Sequence, residues 1–284
     1  MDRILITGAN GQLGSELKVA SSSYGSAYFA YTDREELDIT NADAVSEFLK
    51  NGNFNYLINC AAYTAVDKAE TDRETAFAIN ALAAGILAKA CHRANIKFVH
   101  VSTDFIFDGT LARPLVEDDT ANPLSVYGAT KLEGELVTLS NNPEALILRT
   151  SWVYSSFGNN FVKTILKLCK ERESLGIIFD QIGTPTYAKD LAEAILAITI
   201  GKEWTPGVYH YSNEGVASWY DFAIAIRDNA GLKTKINPIE TSQYPTPAVR
   251  PKYSVLNKKK FKDTFKVEIP YWKDSLNNCM QLMK

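Results

Sequence analysis

Tyr127 and Lys131 stand four residues apart in Tyr127-Gly128-Ala129-Thr130-Lys131, which puts a phenol and an ammonium on one helix face, able to share a site. Free tyrosine titrates at about pH 10 and is a poor acid-base group at neutrality. A neighbouring lysine cation favours the phenolate, so Lys131 is expected to bring Tyr127 toward the working range. Pairs of this kind also arise by chance, and the reading leans on Val101-Ser102-Thr103-Asp104. That run would set hydroxyls at the end of a strand, where one can bond a substrate carbonyl oxygen as charge develops on it.

A second device lies near the start. Thr7-Gly8-Ala9-Asn10-Gly11-Gln12-Leu13-Gly14 follows Ile4-Leu5-Ile6 and opens a helix. Glycines there permit a tight turn, let backbone N–H groups approach a pyrophosphate and let helix and strand pack closely, while the helix N-terminus adds positive potential. An ordinary strand-to-helix turn is the plain alternative, and placement at the first such junction favours the dinucleotide. At the end of the second strand stand Asp33 and Arg34. A carboxylate there suits the ribose 2'-hydroxyl of NADH and a guanidinium suits the 2'-phosphate of NADPH. The sequence carries both signals, and two solvated turn residues would look the same.

The elements that must position these groups alternate. Up to about residue 150, strand-like runs at Ile4–Ile6, Ala27–Tyr31, Tyr56–Ile58, Phe98–Val101 and Leu146–Leu148 are separated by longer helical patterns, the signature of βαβ units. Thr71–Ala94 reads as one helix on the stripe Ala78, Leu82, Ile86, closed by Asn95. Ser125–Ser140 reads as another on Leu132, Leu136 and Leu139. The expected class is α/β: a doubly wound parallel sheet (Rossmann) over 1–151, with ligands at the carboxyl ends of its strands. Residues 152–284 read as a smaller C-terminal substrate-binding region, of which about 176–211 is expected to rejoin the first sheet. Its helix candidates are Asn160–Lys170, Tyr187–Ile200, Ser218–Asn229 and Trp272–Leu282, its strand candidates Gly176–Phe179 and Val208–Tyr211. Three prolines make Thr241–Ser254 a loop.

Composition narrows the partners. The 284 residues are 46% hydrophobic and 22% charged, with a formal net charge of -3, which supports a buried core and excludes disorder and a coiled coil. Without a basic field, no nucleic acid and no anionic membrane is expected as a partner. Leu191–Ile200, the longest apolar candidate, carries Glu193 and is too short to span a bilayer. Met1-Asp2-Arg3 leads straight into a strand, so a cytoplasmic location is expected. Cys60, Cys91, Cys169 and Cys279 are scattered without a CxxC pair, and no metal site is expected.

The chain resembles the extended short-chain dehydrogenase/reductases through Gly8, Gly11, Gly14, Asn80, Thr103, Tyr127 and Lys131. Longer strings resemble, within them, the dTDP-4-dehydrorhamnose reductases. They are Asn59-Cys60-Ala61-Ala62-Tyr63-Thr64-Ala65-Val66-Asp67-Lys68-Ala69-Glu70, Ser102 through Gly109, Arg149 through Tyr154, Asp180 through Thr186, and Arg250-Pro251. Small departures are Phe105, where the reductases often show Tyr, and Cys60, where they show a small residue.

The resemblance implies that Gly8, Asn10, Gly11, Gln12 and Leu13 hold the pyrophosphate of NADPH or NADH, that Asp38 and Ile39 lie by the adenine, and that Ala61, Ala62 and Tyr63 line the cofactor. It implies a catalytic trio of Thr103, Tyr127 as proton donor and Lys131 on the nicotinamide ribose. Val66, Asp104 and Trp152 would touch the sugar of a nucleotide-sugar substrate, and Arg250 its diphosphate. On chemistry alone Trp152 is equally a core aromatic and Arg250 a surface charge. The implied reaction is reduction of a 4-keto nucleotide sugar for cell-surface polysaccharide precursors. A nucleotide-sugar 4,6-dehydratase would show an acid after Thr103-Asp104, where Phe105 stands. A non-catalytic NAD(P)-binding subunit would not require the trio. Some such reductases dimerise with magnesium at the interface, so monomer and homodimer both stay open.

Overall fold

A computed structural model describes residues 1–201 and 204–283. Its first half runs β1 (Asp2–Thr7), α1 (Gln12–Ala20), β2 (Ala27–Thr32), α2 (Ala42–Gly52), β3 (Tyr56–Asn59), α3 (Val66–Ala69), α4 (Arg73–Phe77), α5 (Ala83–Arg93), β4 (Lys97–Thr103), α6 (Val126–Asn141) and β5 (Leu146–Thr150). The second runs β6 (Val153–Tyr154), α7 (Phe161–Glu171), β7 (Ser174–Ile178), β8 (Ile182–Gly183), β9 (Thr186–Tyr187), α8 (Ala188–Ile200), β10 (Gly207–His210), β11 (Ala217–Ser218), α9 (Trp219–Asn229), β12 (Lys235–Ile239), α10 (Lys259–Phe265) and α11 (Trp272–Gln281).

The central sheet has the order β10-β5-β4-β3-β1-β2, and its pairings are all parallel. β3 and β5 are buried along their whole length, as apolar strands covered on both faces must be. One face packs Ile4, Ile6, Val99 and Leu148 against Leu17 of α1 and Leu191 and Ile195 of α8. The other packs Leu5, Leu57 and Phe98 against Val45 of α2 and Leu87 and Cys91 of α5. The chain turns from one side of β1 to the other after β2, so the order reverses there and opens a crevice at the carboxyl ends. The fold is a Rossmann-like α/β fold.

Of the stretch expected to rejoin this sheet, β10 does so, pairing Gly207–His210 with Leu146–Arg149. β7 does not: it pairs with β12 in a separate two-stranded ladder. β12 gave no sequence signal because it carries Pro238, tolerable only on an edge. Two more ladders, β11 with β8 and β6 with β9, surround a second core of Tyr154, Val162, Phe222, Ile226, Trp272 and Leu276.

Two helices turn faces that differ from the expected stripes. Thr71–Ala94 is not one α-helix: it begins at Arg73 and is interrupted by a π-helical turn over Ala78–Leu82. The wider turn inserts an extra residue, so the buried face becomes Ala76, Asn80, Ala84, Leu87 and Cys91, while Leu82 is 53% exposed. By length and composition Arg73–Arg93 could cross a membrane, but here it is a core helix packed on α2 and α6. In α6 the buried residues are Gly128, Thr130, Lys131, Gly134, Glu135 and Thr138, and Leu136 is 55% exposed. This helix turns its polar face to the sheet because that face carries the site.

Candidate active site

The glycine turn is forced by its surroundings. Gly8 has a left-handed φ of 68°, and a Cβ on it would fall 2.5 Å from the Ala61 backbone nitrogen, a contact no side chain survives. A Cβ on Gly14 would meet the Ala9 Cα at 2.6 Å. Gly11 is the N-cap of α1 and is exposed, so there the requirement comes from whatever approaches the helix end. Beside the turn lies a cavity of about 600 Å³ at the crevice. Gly8, Gly11, Asp33, Arg34, Asp38, Ile39, Ala61 and Ala62 are on its wall. The cavity suits a dinucleotide in size and in the open backbone at its phosphate end.

Asn10, Gln12, Leu13 and Tyr63, expected at the cofactor, are not on that wall, and neither is Asn80. Leu13 is in the core under the turn. Gln12 Oε1 accepts from Asn160 Nδ2 at 3.0 Å, tying the turn to the second half. The Asn10 amide donates to Asp33 Oδ2 at 3.1 Å, and the Arg34 amide donates to Asp33 Oδ1 at 2.8 Å, so the Asp33 carboxylate braces the loop while the Arg34 side chain is not so engaged. Asn80 is 1% exposed: its Oδ1 accepts the Tyr63 amide at 2.8 Å and its Nδ2 donates to Tyr63 O and Thr130 Oγ1. It sits in the π turn and fixes Tyr63 and α6, and such turns recur near functional sites. The wall also takes Thr7, Thr32, Leu37, Thr40, Cys60 and, from the helix after β3, Glu74, Thr75, Ala78 and Ile79. The last four repeat at i, i+1, i+4 and i+5, a helical face the sequence reading passed over.

The trio meets at the carboxyl edge of β4. Ser125 caps α6 by accepting the Gly128 amide at 3.2 Å, and Glu70 accepts the Val126 amide at 2.8 Å, so Tyr127 occupies a helix start fixed from two sides. Sequence reading gave Glu70 no role. Phe105 packs edge-on to the Tyr127 ring, centroids 5.6 Å apart. Thr103 Oγ1 donates to Asp104 Oδ1 and accepts the Phe105 amide, each at 3.2 Å. Lys131, 2% exposed, donates to the Val101 carbonyl at 2.6 Å. Beneath it Ser102 bonds Glu135, which also pairs with Arg149 at 2.8 Å.

The electrostatics correct one expectation. Burial pushes the Tyr127 phenol up to about 12, the Thr103 hydroxyl pulling weakly the other way and the Asp104 charge adding to the rise. Burial outweighs any pull from a neighbouring cation, and Lys131 is itself desolvated, its ammonium pushed down to about 8. A phenol that keeps its proton at neutral pH is an acid, suited to giving a proton to an alkoxide. Burial likewise pushes the Asp104 carboxyl up to about 6.

Of the residues expected at the substrate, Val66 opens α3 and Asp104 is buried beside Thr103. Trp152 lies two residues beyond Thr150, the register partner of Thr103. Arg250 is gripped by Asp67 through Nη1 at 3.0 Å and Nη2 at 2.8 Å, so a diphosphate arriving there meets a paired guanidinium rather than a free one. Among the described residues no group of three or more His, Cys, Asp or Glu is placed to hold a metal.

The protein family described as RmlD substrate binding domain matches residues 1–284. The chain is 42% identical over 288 residues to the dTDP-4-dehydrorhamnose reductase of Aggregatibacter actinomycetemcomitans, covering 98% of each. The crystal structure of a dTDP-4-dehydrorhamnose reductase from Clostridium acetobutylicum superposes with a TM-score of 0.95 at 43% identity, covering 99% of each chain. That of the Bacillus anthracis dTDP-4-dehydrorhamnose reductase in complex with NADP gives 0.93 at 37%, again over 99% of each. With a Rossmann-like sheet, a glycine turn at a dinucleotide-sized cavity and likeness over its whole length, the chain belongs to the RmlD substrate binding domain family, that of the dTDP-4-dehydrorhamnose reductases.

Proposed function

We propose that this protein is an NAD(P)H-dependent enzyme that reduces the 4-keto group of dTDP-4-dehydrorhamnose to give dTDP-L-rhamnose. The observation that carries the reading is the placement of Tyr127 against Thr103 at the end of β4, with Lys131 on the Val101 carbonyl and near Cys60 of the cavity wall, in a chain of this family. A bound nicotinamide cofactor supplies the hydride. The backbone around Gly8 and Gly11 and the start of α1 hold its pyrophosphate, and Asp38 and Ile39 take the adenine end. Lys131, steered by the Val101 carbonyl, is assigned to the nicotinamide ribose. Tyr127 gives its phenolic proton to the sugar oxygen as that oxygen becomes an alkoxide, and the Thr103 hydroxyl bonds the same oxygen. Each group acts where charge appears in the transition state.

A 4,6-dehydratase would need a second acid where Phe105 packs on Tyr127, and a binding subunit has no use for Tyr127, Lys131 and Thr103 together. The enzyme works where nucleotide sugars and reduced dinucleotides are made, in the cytoplasm. It acts as a monomer or as a homodimer assisted by magnesium, which sedimentation with and without the ion separates. The test of function is turnover of dTDP-4-dehydrorhamnose with NADPH and with NADH, followed by identification of the product. Formation of dTDP-L-rhamnose is expected; cofactor binding without turnover of any 4-keto nucleotide sugar would overturn the reading.

A further inference from the structure

Trp152 has a φ of 47°, a left-handed backbone that bulky residues rarely adopt. Its indole lies parallel to that of Trp219, with ring centroids 3.5 Å apart and planes 6° from coincident. A Cβ built on Gly183 would fall 2.6 Å from Trp152 Cε2 and 2.8 Å from both Cζ2 and Nε1, distances that put it over the ring face rather than at its rim. Two indoles at 3.5 Å leave no room between them, so Gly183 covers the opposite face. The Trp152 ring is clamped between Trp219 and the Gly183 backbone, and its edge is the part left to solvent and substrate.

The two jaws share one frame. Gly183 belongs to β8 and pairs with Ala217 of β11, and β11 leads directly into Trp219, the first residue of α9. Ser218 and Asp221 fix that helix start with a reciprocal capping box, and Phe161 backs Trp219 at 4.7 Å. A strained backbone persists only where its surroundings over-determine it, and this frame is what over-determines Trp152. It also gives a purpose to Gly183, in a string otherwise unexplained, and to Trp219, which carries no sequence signal of function.

The geometry points to Trp219 and Gly183 as positioning residues that set the Trp152 indole for the sugar of the nucleotide-sugar substrate. This rests on the reading of Trp152 as a wall of the substrate site. Displacing a positioning group by about an ångström can cost up to a hundredfold.

The test compares Trp219→Ala, Trp219→Phe, Gly183→Ala and Trp152→Ala in steady-state kinetics with dTDP-4-dehydrorhamnose, alongside NADPH binding and circular dichroism of the stacked indoles. Trp219→Ala is expected to raise the KM for the nucleotide sugar about tenfold or more, with the NADPH dissociation constant within about threefold. Trp219→Phe restores a flat partner and should recover most of the KM while losing the indole-pair exciton signal. Gly183→Ala keeps Trp219 but crowds the opposite face, and should raise the KM in a protein that still melts cooperatively. It carries the test if Trp219→Ala does not fold. If Trp152→Ala raises the KM while Trp219→Ala and Gly183→Ala do not, the clamp is mere packing and the inference falls alone. If Trp152→Ala leaves the KM unchanged, the placement of Trp152 at the sugar is wrong and the inference falls with it.

Discussion

Between Asp2 and Thr150 the sheet strands run four to seven residues, each joined to a parallel neighbour through a helical crossover, and the cofactor cavity opens where their order reverses. Beyond Thr150, β6, β8, β9 and β11 have two residues each and pair in small ladders that hold single side chains, such as the Trp152 indole, in place. The first half makes its cofactor site largely from backbone at a topological switch point, shaped by Gly8 and Gly14, and adds the side chains of Thr103, Tyr127 and Lys131 at one strand edge. The second makes its site from side-chain contacts between segments far apart in sequence. Damage to the sheet or the glycine turn should therefore strike folding or cofactor binding, damage to the trio the chemical step, and damage to the second half substrate KM.

The sharpest way to break this comparison is Glu135→Ala. Its carboxylate pairs with Arg149 at 3% and 8% side-chain exposure, and removing one partner of a buried pair typically costs about 3 to 5 kcal/mol. Chemical denaturation should show that loss in one transition for the whole chain; a loss under about 1 kcal/mol would mean that the pair does not support the sheet. Gly11→Val comes next. With only one neighbouring atom, the Gly8 carbonyl oxygen at 3.3 Å, a side chain fits the fold but stands in the path of the pyrophosphate. The melting temperature should hold while NADPH affinity falls at least about tenfold, and parental binding by calorimetry would refute the turn's role.

A smaller effect tests β10, the strand that joins the two halves. Burial, with Arg149 adding to it, pushes the His210 imidazole down to about 3, whereas the unfolded chain takes a proton at about 6.5. Stability present above about pH 6.5 is then lost as pH falls toward 3, because only the unfolded state gains the proton. His210→Gln should flatten this acid limb in denaturation midpoints measured across pH; parallel curves for variant and parent would reject it. Smallest is Arg34→Ala, expected to raise the KM for NADPH a few-fold and leave NADH nearly unchanged. The Asp33 carboxylate is already occupied by two backbone amides, which leaves Arg34 to choose the cofactor. Equal effects on both cofactors would discard that idea.

What the sequence disclosed follows the same division. The glycine turn, the strand cores and the Tyr127–Lys131 spacing are local, so they can be read from adjacent residues. The faces of α5 and α6 misled, since a π turn shifts one register and a polar functional face displaces leucine from the other. Asn80 was found by resemblance, but its work on Tyr63 and Thr130 spans distant segments. Asp67 and Glu70 lay in a quoted string without a role, because their partners Arg250 and Val126 are far along the chain. Gly183 lay in a quoted string without a role and Trp219 in none, and only the folded chain brings them to Trp152.

The central claim is that Tyr127, desolvated and protonated, delivers the proton that completes reduction. Tyr127→Phe keeps the ring that packs on Phe105 and removes the donor, so the measurement is single-turnover NADPH oxidation at saturating dTDP-4-dehydrorhamnose beside NADPH affinity. A rate lower by about a hundred- to ten-thousandfold, the usual worth of a positioned acid, with the dissociation constant within about threefold, is the predicted result. A Phe variant that turns over at the parental rate would contradict it and move the proton donor to Thr103 or to a water that Thr103 holds.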